Sequence, residues 1–376
     1  MQVSKRFDTY FSFHPSAHLL QFENQDKKYC FFTIIYYNKK QIERITKTNN
    51  RYKLNKEYEI KMINEKVVRK IMSELYKEGY DCFVSEAQLR DAFAIKLKEM
   101  LPNCIVLPEY SEPKPIGWRC SENIIHFDLL IKDNEDNETV LVEFKYKQRK
   151  GNFNNRNGIF AQLSDHSDTT NGRYAIWRDI YRIETFCDLK KINKGFIVFV
   201  TNNLSYLTEP PVGGVAKEFS IADGNHIAAS KNWNLTSGKR SSIHDTYWAD
   251  DKPLIIKNDY CFSYSDYSNV LDVATHPHVF KQLILPIHST DFKNELMGLI
   301  NDIGMRVFVE HYDEFASKTA TLEGEGFTSK SVKSRIGKAN TIFNRHLETD
   351  VLRAIINSTK TDQVTRDKAL AILNRA

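Results

Sequence analysis

Three residues close together in the chain have the types and spacing for joint chemistry: Asp128, Glu143 and Lys145. Asp128 interrupts the apolar run at residues 124–131, where a solvated turn does not account for a carboxylate. A charge buried there is costly unless it gains a partner, usually a lysine or a bound cation. Glu143-Phe144-Lys145 lies in a second apolar run, residues 139–146. A strand places residues two apart on one face, so Glu143 and Lys145 point the same way, beside Leu141. The Asn/Asp-rich connector between the runs suits a tight turn. Paired as a hairpin, the two runs would gather two carboxylates and an ammonium in one spot.

That grouping has a chemical use. Asp128, Glu143 and the backbone carbonyl of Phe144 offer hard oxygen ligands for Mg²⁺, with Mn²⁺ as a substitute, and leave room for water and a phosphate oxygen. Such an ion lowers the pKa of its bound water and neutralises charge building on phosphorus. Lys145 would orient the attacking water or stabilise the anionic transition state. Lys147 shares the strand face and is an alternative base. The same triplet also suits an ordinary edge hairpin with a surface Glu–Lys pair, because Glu-x-Lys is common in any sequence.

The flanking elements must bring these residues together. A helical stretch is expected over residues 64–78. Ser85 to Gln88 reads as a capping box opening a second helix, with Leu89, Phe93, Leu97 and Met100 on one face. Glu86 lies on that face at the first turn, either as a carboxylate on the helix dipole or as one that reaches the metal site. Residues 104–109 read as a strand ending at Pro108, with Glu109 near its exit. The Gly/Asn-rich segment 151–158 reads as a mobile, exposed loop. Residues 173–187 form a strong helix pattern, in which Arg178, Asp179, Arg182 and Glu184 have the spacing of structural ion pairs. The continuous apolar run 195–200 reads as a fully buried central strand.

Composition bounds the rest. The chain has 376 residues and is 41% hydrophobic and 12% aromatic, which indicates globular domains rather than disorder. The N-terminus has no signal-peptide core and no apolar run approaches membrane-spanning length, so a cytoplasmic protein is expected. The six cysteines, Cys30, Cys82, Cys104, Cys120, Cys187 and Cys261, form no CxxC and no Cys/His cluster, so they read as reduced thiols rather than zinc ligands. Net charge is only +5, but residues 1–80 carry 16 Lys/Arg against 9 Asp/Glu. A second basic run, Lys330, Lys333, Arg335, Lys338 and Arg345, contains no acid. Both excesses suit phosphate contacts, and both also suit a solvated surface. Strands are expected in residues 1–55, notably 29–37, where a recognition module or an elaboration of the central sheet would fit. Trp233 and Trp248 read as core aromatics or as stacking platforms for bases. Residues 266–285 read as a bridge to a C-terminal helical bundle, with Ile342, Phe343 and Leu347 as a buried face. The bundle would read DNA, mediate dimerisation, or both.

The order helix, strand, strand with Asp128, strand with Glu143-Phe144-Lys145, helix, buried strand resembles the PD-(D/E)xK nuclease superfamily, the restriction-endonuclease-like fold. Asp128 matches the invariant acid, Glu143 to Lys145 the tripeptide, and Glu86 the helix carboxylate of many members. VEFKYKQRK, the Asp168 region, GRYAIWRDIYRIETF and KGFIVFVTNNLSYL look more closely like one bacterial subgroup. The likeness spans residues 83–268, and it departs from the motif in having Phe127, not Pro, before Asp128. It implies an α/β protein with a central mixed sheet flanked by helices: an N-terminal region at 1–80, a nuclease core at 81–285 and a C-terminal helical domain at 286–376. It further implies Mg²⁺-dependent cleavage of DNA, most naturally duplex, by a restriction or anti-phage enzyme, with Asp128, Glu143, Lys145 and Glu86 catalytic. A homodimer would supply two sites for a double-strand break. A catalytically silent nucleic-acid-binding member and an RNase or nuclease toxin are the competing readings, since fold does not fix function.

Overall fold

The computed structural model describes residues 63–375, apart from 116–122, 135–136, 159, 167, 215, 225, 232–253 and 274–275. All described residues belong to one compact unit, Ile60–Ala376. The strands expected in residues 1–55, together with Trp233 and Trp248, lie outside the described residues.

Helix α1 (Glu65–Lys77) starts at Asn64, whose side chain accepts from the Val67 amide, and buries Val67, Val68, Ile71, Met72 and Leu75. Helix α2 (Glu86–Met100) starts at Ser85, which accepts from the Gln88 amide as a capping box requires. Gln88 closes the box one residue early, accepting from the Val84 amide at 2.7 Å. Strands β1 (Ile105–Pro113), β2 (Ile124–Asp133) and β3 (Glu138–Lys147) follow, then the short hairpin β4 (Gly151–Asn154) and β5 (Phe160–Leu163). Helix α3 (Thr169–Asp188) crosses to β6 (Lys194–Thr201). After β7 (His226–Lys231) and β8 (Leu254–Cys261) come β9 (Tyr264–Leu271) and β10 (Pro277–His288).

The protein is mixed α/β. Six strands form one sheet in the order β1-β2-β3-β6-β10-β9, in which β3 and β6 run parallel and the other pairs antiparallel. The parallel pair at the centre explains the α3 crossover, since no hairpin can join parallel neighbours. One face of the sheet, with Val140, Val142, Phe144, Val198 and Val200, packs on α1 and α2. The other, with Leu141, Ile197, Phe199 and Leu283, packs on Ile176, Trp177, Ile180 and Ile183 of α3 and on β8. Strand β6 is buried along its whole length, as a two-sided central strand must be.

Three sequence expectations are corrected here. Strand β1 does not end at Pro108 but continues to Pro113, because it is the sheet's edge and a proline there costs no ladder bond. Residues 151–158 are not a free loop: β4 pairs β5, and Arg156 at its tip bonds Asp81 at 2.6 Å. Residues 266–285 do not bridge two units but make up most of β9 and β10, which complete the central sheet.

The C-terminal helices are α4 (Thr290–Ile303), α5 (Met305–Glu310), α6 (Tyr312–Ala316), α7 (Ser329–Asn344), α8 (Glu348–Asn357) and α9 (Gln363–Arg375). They bury a separate core around Ile300, Phe308, Ile342, Val351 and Ile355, which also takes in Cys261 from β8. Ile342 and Leu347 are buried as expected, and Phe343 is half-buried. Cys82, Cys104, Cys187 and Cys261 are buried free thiols. Among the described residues no helix is long and apolar enough to cross a membrane.

Candidate active site

The site is made by two strands parting. Strands β2 and β3 pair from Asp133↔Glu138 to Leu129↔Val142, and there the ladder stops. The next pair in that register would set Asp128 directly opposite Glu143, and like charges placed so are unfavourable. From Asp128 backwards β2 pairs only β1, while β3 continues along β6 to Lys147. The facing of β2 reverses at the same point: Ile125 and Phe127 join the α3 side, Leu129 and Ile131 the α1–α2 side. Opposite Asp128 in β1, Glu109 takes a left-handed backbone with φ 52°. Such a conformation is uncommon for a non-glycine residue, and it falls where the β1–β2 register skips Glu109 and Asp128.

Parting leaves the open side of β3 with unpaired amides, and carboxylates fill them. Asp128 Oδ2 accepts from the Phe144 amide at 2.7 Å, and Glu86 Oε2 accepts from the Tyr146 amide at 2.8 Å. Residues 144 and 146 are two apart, so both amides face the same opened edge. Glu86 reaches it from the first turn of α2. Thus both acids are held by backbone hydrogen bonds rather than by chance proximity.

Lys145 lies at the centre. Its Nζ is 2.8 Å from Asp179 Oδ2, 3.8 Å from Glu143 Oε2, 3.9 Å from Glu86 Oε1 and 4.0 Å from Asp128 Oδ2. It also donates to the Phe144 carbonyl at 2.8 Å. Glu143 and Asp179 form a buried floor, with side chains 4% and 0% exposed, whereas Asp128 at 22% and Glu86 at 37% form the mouth. The reading of Glu143 and Lys145 as a surface pair on an edge hairpin is therefore corrected: both are buried, on a strand with neighbours on each side.

Electrostatics follow from that crowding. Burial raises the pKa of Glu143 well above the ordinary carboxylate range, and the charge of Asp179 adds to it. Burial alone would lower the Lys145 ammonium, but Asp179, Glu86, Glu143 and Asp128 together raise it, so it stays charged at neutral pH. Asp179 goes the other way: burial opposes its charge, yet Lys145, Arg178 and Arg182 bring it down to about 2.

All four residues picked from the sequence, Glu86, Asp128, Glu143 and Lys145, converge here, and Lys147 stays outside the cluster, half-buried farther along β3. Sequence reasoning alone misses Asp179 and Arg182 as site residues. Arg182 donates to Asp179 Oδ1 at 3.0 Å, approaches Glu143 Oε1 at 3.8 Å, and lies over the Phe127 ring at 4.7 Å. A signal existed. Asp179 sits three residues after Ile176 and four before Ile183, so it is a carboxylate inside an apolar helical stripe, as Asp128 is inside an apolar strand.

Among the described residues no group of three or more His, Cys, Asp and Glu side chains is set to hold a metal ion as it stands. The donor chemistry nevertheless fits a hard divalent cation. Asp128, Glu143 and the Phe144 carbonyl surround a point already filled by a positive charge, Lys145 Nζ. Glu143 Oε1 is buried without a hydrogen-bond partner. Four carboxylates also outnumber the cations Lys145, Arg178 and Arg182 around them.

Comparison with protein-family models, with curated proteins and with solved structures returns nothing similar to the chain.

The basic run of α7 divides in two. Arg335 donates to the carbonyls of Asp302 and Ile303 at the end of α4 and stacks on Phe327. Lys338 pairs with Asp302 at 3.1 Å and Arg345 with Glu295. Lys330 and Lys333 are exposed and make no ion pair among the described residues. Three of the five cations thus bind neighbouring elements of the bundle, and two, Lys330 and Lys333, are left exposed.

Proposed function

We propose that the protein is a divalent-metal-dependent endonuclease of the restriction-endonuclease-like type, cutting DNA in restriction or anti-phage defence. The supporting observation is the convergence of Glu86, Asp128, Glu143 and Lys145 on the edge of β3 left open where β2 departs. Asp128, Glu143 and the Phe144 carbonyl would hold Mg²⁺ or Mn²⁺, which would supply an activated water and neutralise charge on the phosphate. Lys145 remains an ammonium, which suits electrostatic stabilisation of the phosphorane-like transition state better than proton abstraction. Glu86, at the mouth, is placed to orient water.

The test is cleavage of duplex DNA and of RNA, with Mg²⁺ and with EDTA. Cutting of DNA that requires the metal is expected. Asp128→Ala should abolish it while the protein stays folded, and Lys145→Ala should slow it by at least ~10²-fold. Undiminished cutting by Asp128→Ala would remove the site assignment. Cleavage confined to RNA would favour the toxin reading.

A further inference from the structure

The buried half of the site has a residue with no role in that scheme. Asp179 of α3 is fully buried and divides its oxygens: Oδ1 accepts from Arg182 at 3.0 Å, and Oδ2 meets Lys145 Nζ at 2.8 Å. Arg182 is itself fixed, stacked on Phe127 and donating to the His126 carbonyl of β2. Asp179 is therefore locked on one side and presents its other oxygen to the lysine. The same ammonium donates to the Phe144 carbonyl, one of the oxygens available to a divalent ion.

We propose that Asp179 is a positioning residue that anchors Lys145 at the edge of the metal's ligands: in the metal-free protein the lysine is a tethered cation shared between Asp179 and the Phe144 carbonyl, and when an ion takes that carbonyl the lysine stays on Asp179. The inference rests on the metal-dependent reading above. An ammonium and a hard metal ion seek the same oxygens, and Lys145, Arg178 and Arg182 together are one cation short of the four carboxyl groups. Glu143 Oε1, which accepts no hydrogen bond and has only Arg182 at 3.8 Å, is the ligand oxygen left over. Asp179 gives the ammonium a place to remain when it yields the Phe144 carbonyl. Without Asp179, Lys145 would fall back on Glu143, Glu86 and Asp128 and compete with the incoming ion.

The test is Ca²⁺ binding by calorimetry, without nucleic acid, on wild type, Asp179→Asn, Lys145→Ala and the double variant. Lys145→Ala should bind Ca²⁺ more tightly, by about tenfold or more, since the ammonium that sits 3.8 Å from Glu143 Oε2 and repels an incoming cation is removed. Asp179→Asn should bind it about tenfold more weakly, an effect that disappears in the Lys145→Ala background, and Asp179→Glu should recover most of the loss. Equal weakening in both backgrounds, or none in either, overturns the proposal. If Asp179→Asn does not fold, Lys145→Ala decides alone: unchanged or weaker Ca²⁺ binding overturns it. A wild-type protein that binds no divalent ion removes the metal reading itself, a result distinct from either.

Discussion

Glu143 is the residue at which stability and chemistry conflict. It is 3% exposed, its Oε1 finds no hydrogen-bond partner, and its pKa is raised by burial and by Asp179. A carboxyl with a folded pKa above its unfolded one favours the fold while protonated, and that contribution is lost as pH rises through the folded value. Glu143→Gln should therefore stabilise the metal-free protein by roughly 1–3 kcal/mol at pH 8, the cost of an unmet buried polar group, and by less near pH 4. Melting in EDTA at the two pH values checks this, and a lower Tm than wild type at pH 8 would contradict it. Added Mg²⁺ should stabilise wild type but not the variant, because only the former gains a ligand. Asp179 has the opposite sign: its stabilising charge is complete above its unfolded pKa and is lost as pH falls towards about 2. At this scale the sequence is readable for Asp128, Glu143 and Lys145, because strand alternation makes a charge in an apolar run conspicuous. Asp179 is hidden by its neighbours. Arg182 at i+3 gives the spacing of a solvated ion pair, with Arg178 adjacent, and only the partner strand turns that pattern inward.

Between elements, a second buried charge cluster joins the bundle to the sheet's helices. Arg353 of α8 is 3% exposed and donates to Glu65 Oε2 of α1 at 2.7 Å, while Arg69 bonds the same carboxylate at 2.7 Å. Burial opposes the charge of Glu65, but Arg353 and Arg69 hold its pKa below the ordinary value. Removing one partner of a buried pair leaves the other uncompensated, so Arg353→Ala should cost about 3–5 kcal/mol in urea denaturation. The paired change Glu65→Leu with Arg353→Met should cost much less, and equal losses would show that packing, not charge, makes the junction. No sequence pattern announces this junction, since its partners stand at opposite ends of the described chain. The elements themselves are more legible. α2, α3 and β6 follow directly from helical or all-apolar periodicity. β1 reads too short because proline is a stop signal in every strand but an edge strand, and β4–β5 is hard to read because its strands are only four residues long and β4 is made of Gly, Asn and Phe. The parting of β2 from β3 is a tertiary event: two acids that would otherwise face one another end the ladder.

For the molecule as a whole, the question is which surface meets a polyanion. A net charge of +5 spread over 376 residues gives no general attraction, so binding must rest on local cations. In the bundle, Arg335, Lys338 and Arg345 are bound to α4, which leaves Lys330 and Lys333 at the start of α7. They lie one turn apart, near enough to follow a phosphate backbone. A helix N-terminus also carries partial positive charge, and no acid lies in its first turn. If these lysines touch DNA, the double variant Lys330→Glu/Lys333→Glu should bind duplex more weakly and reduce the log–log salt slope by about one unit for each phosphate no longer neutralised, roughly two in all. The comparison variant is Lys338→Glu, which breaks the pair with Asp302 and should lower Tm more than it alters the slope. Fluorescence anisotropy across a salt series separates the two. Cleavage by the double variant should fall at low DNA concentration and recover at saturation, because the β3 site is untouched and only encounter is impaired. An unchanged slope would assign the exposed lysines to solvation and leave duplex binding to other surfaces of the chain.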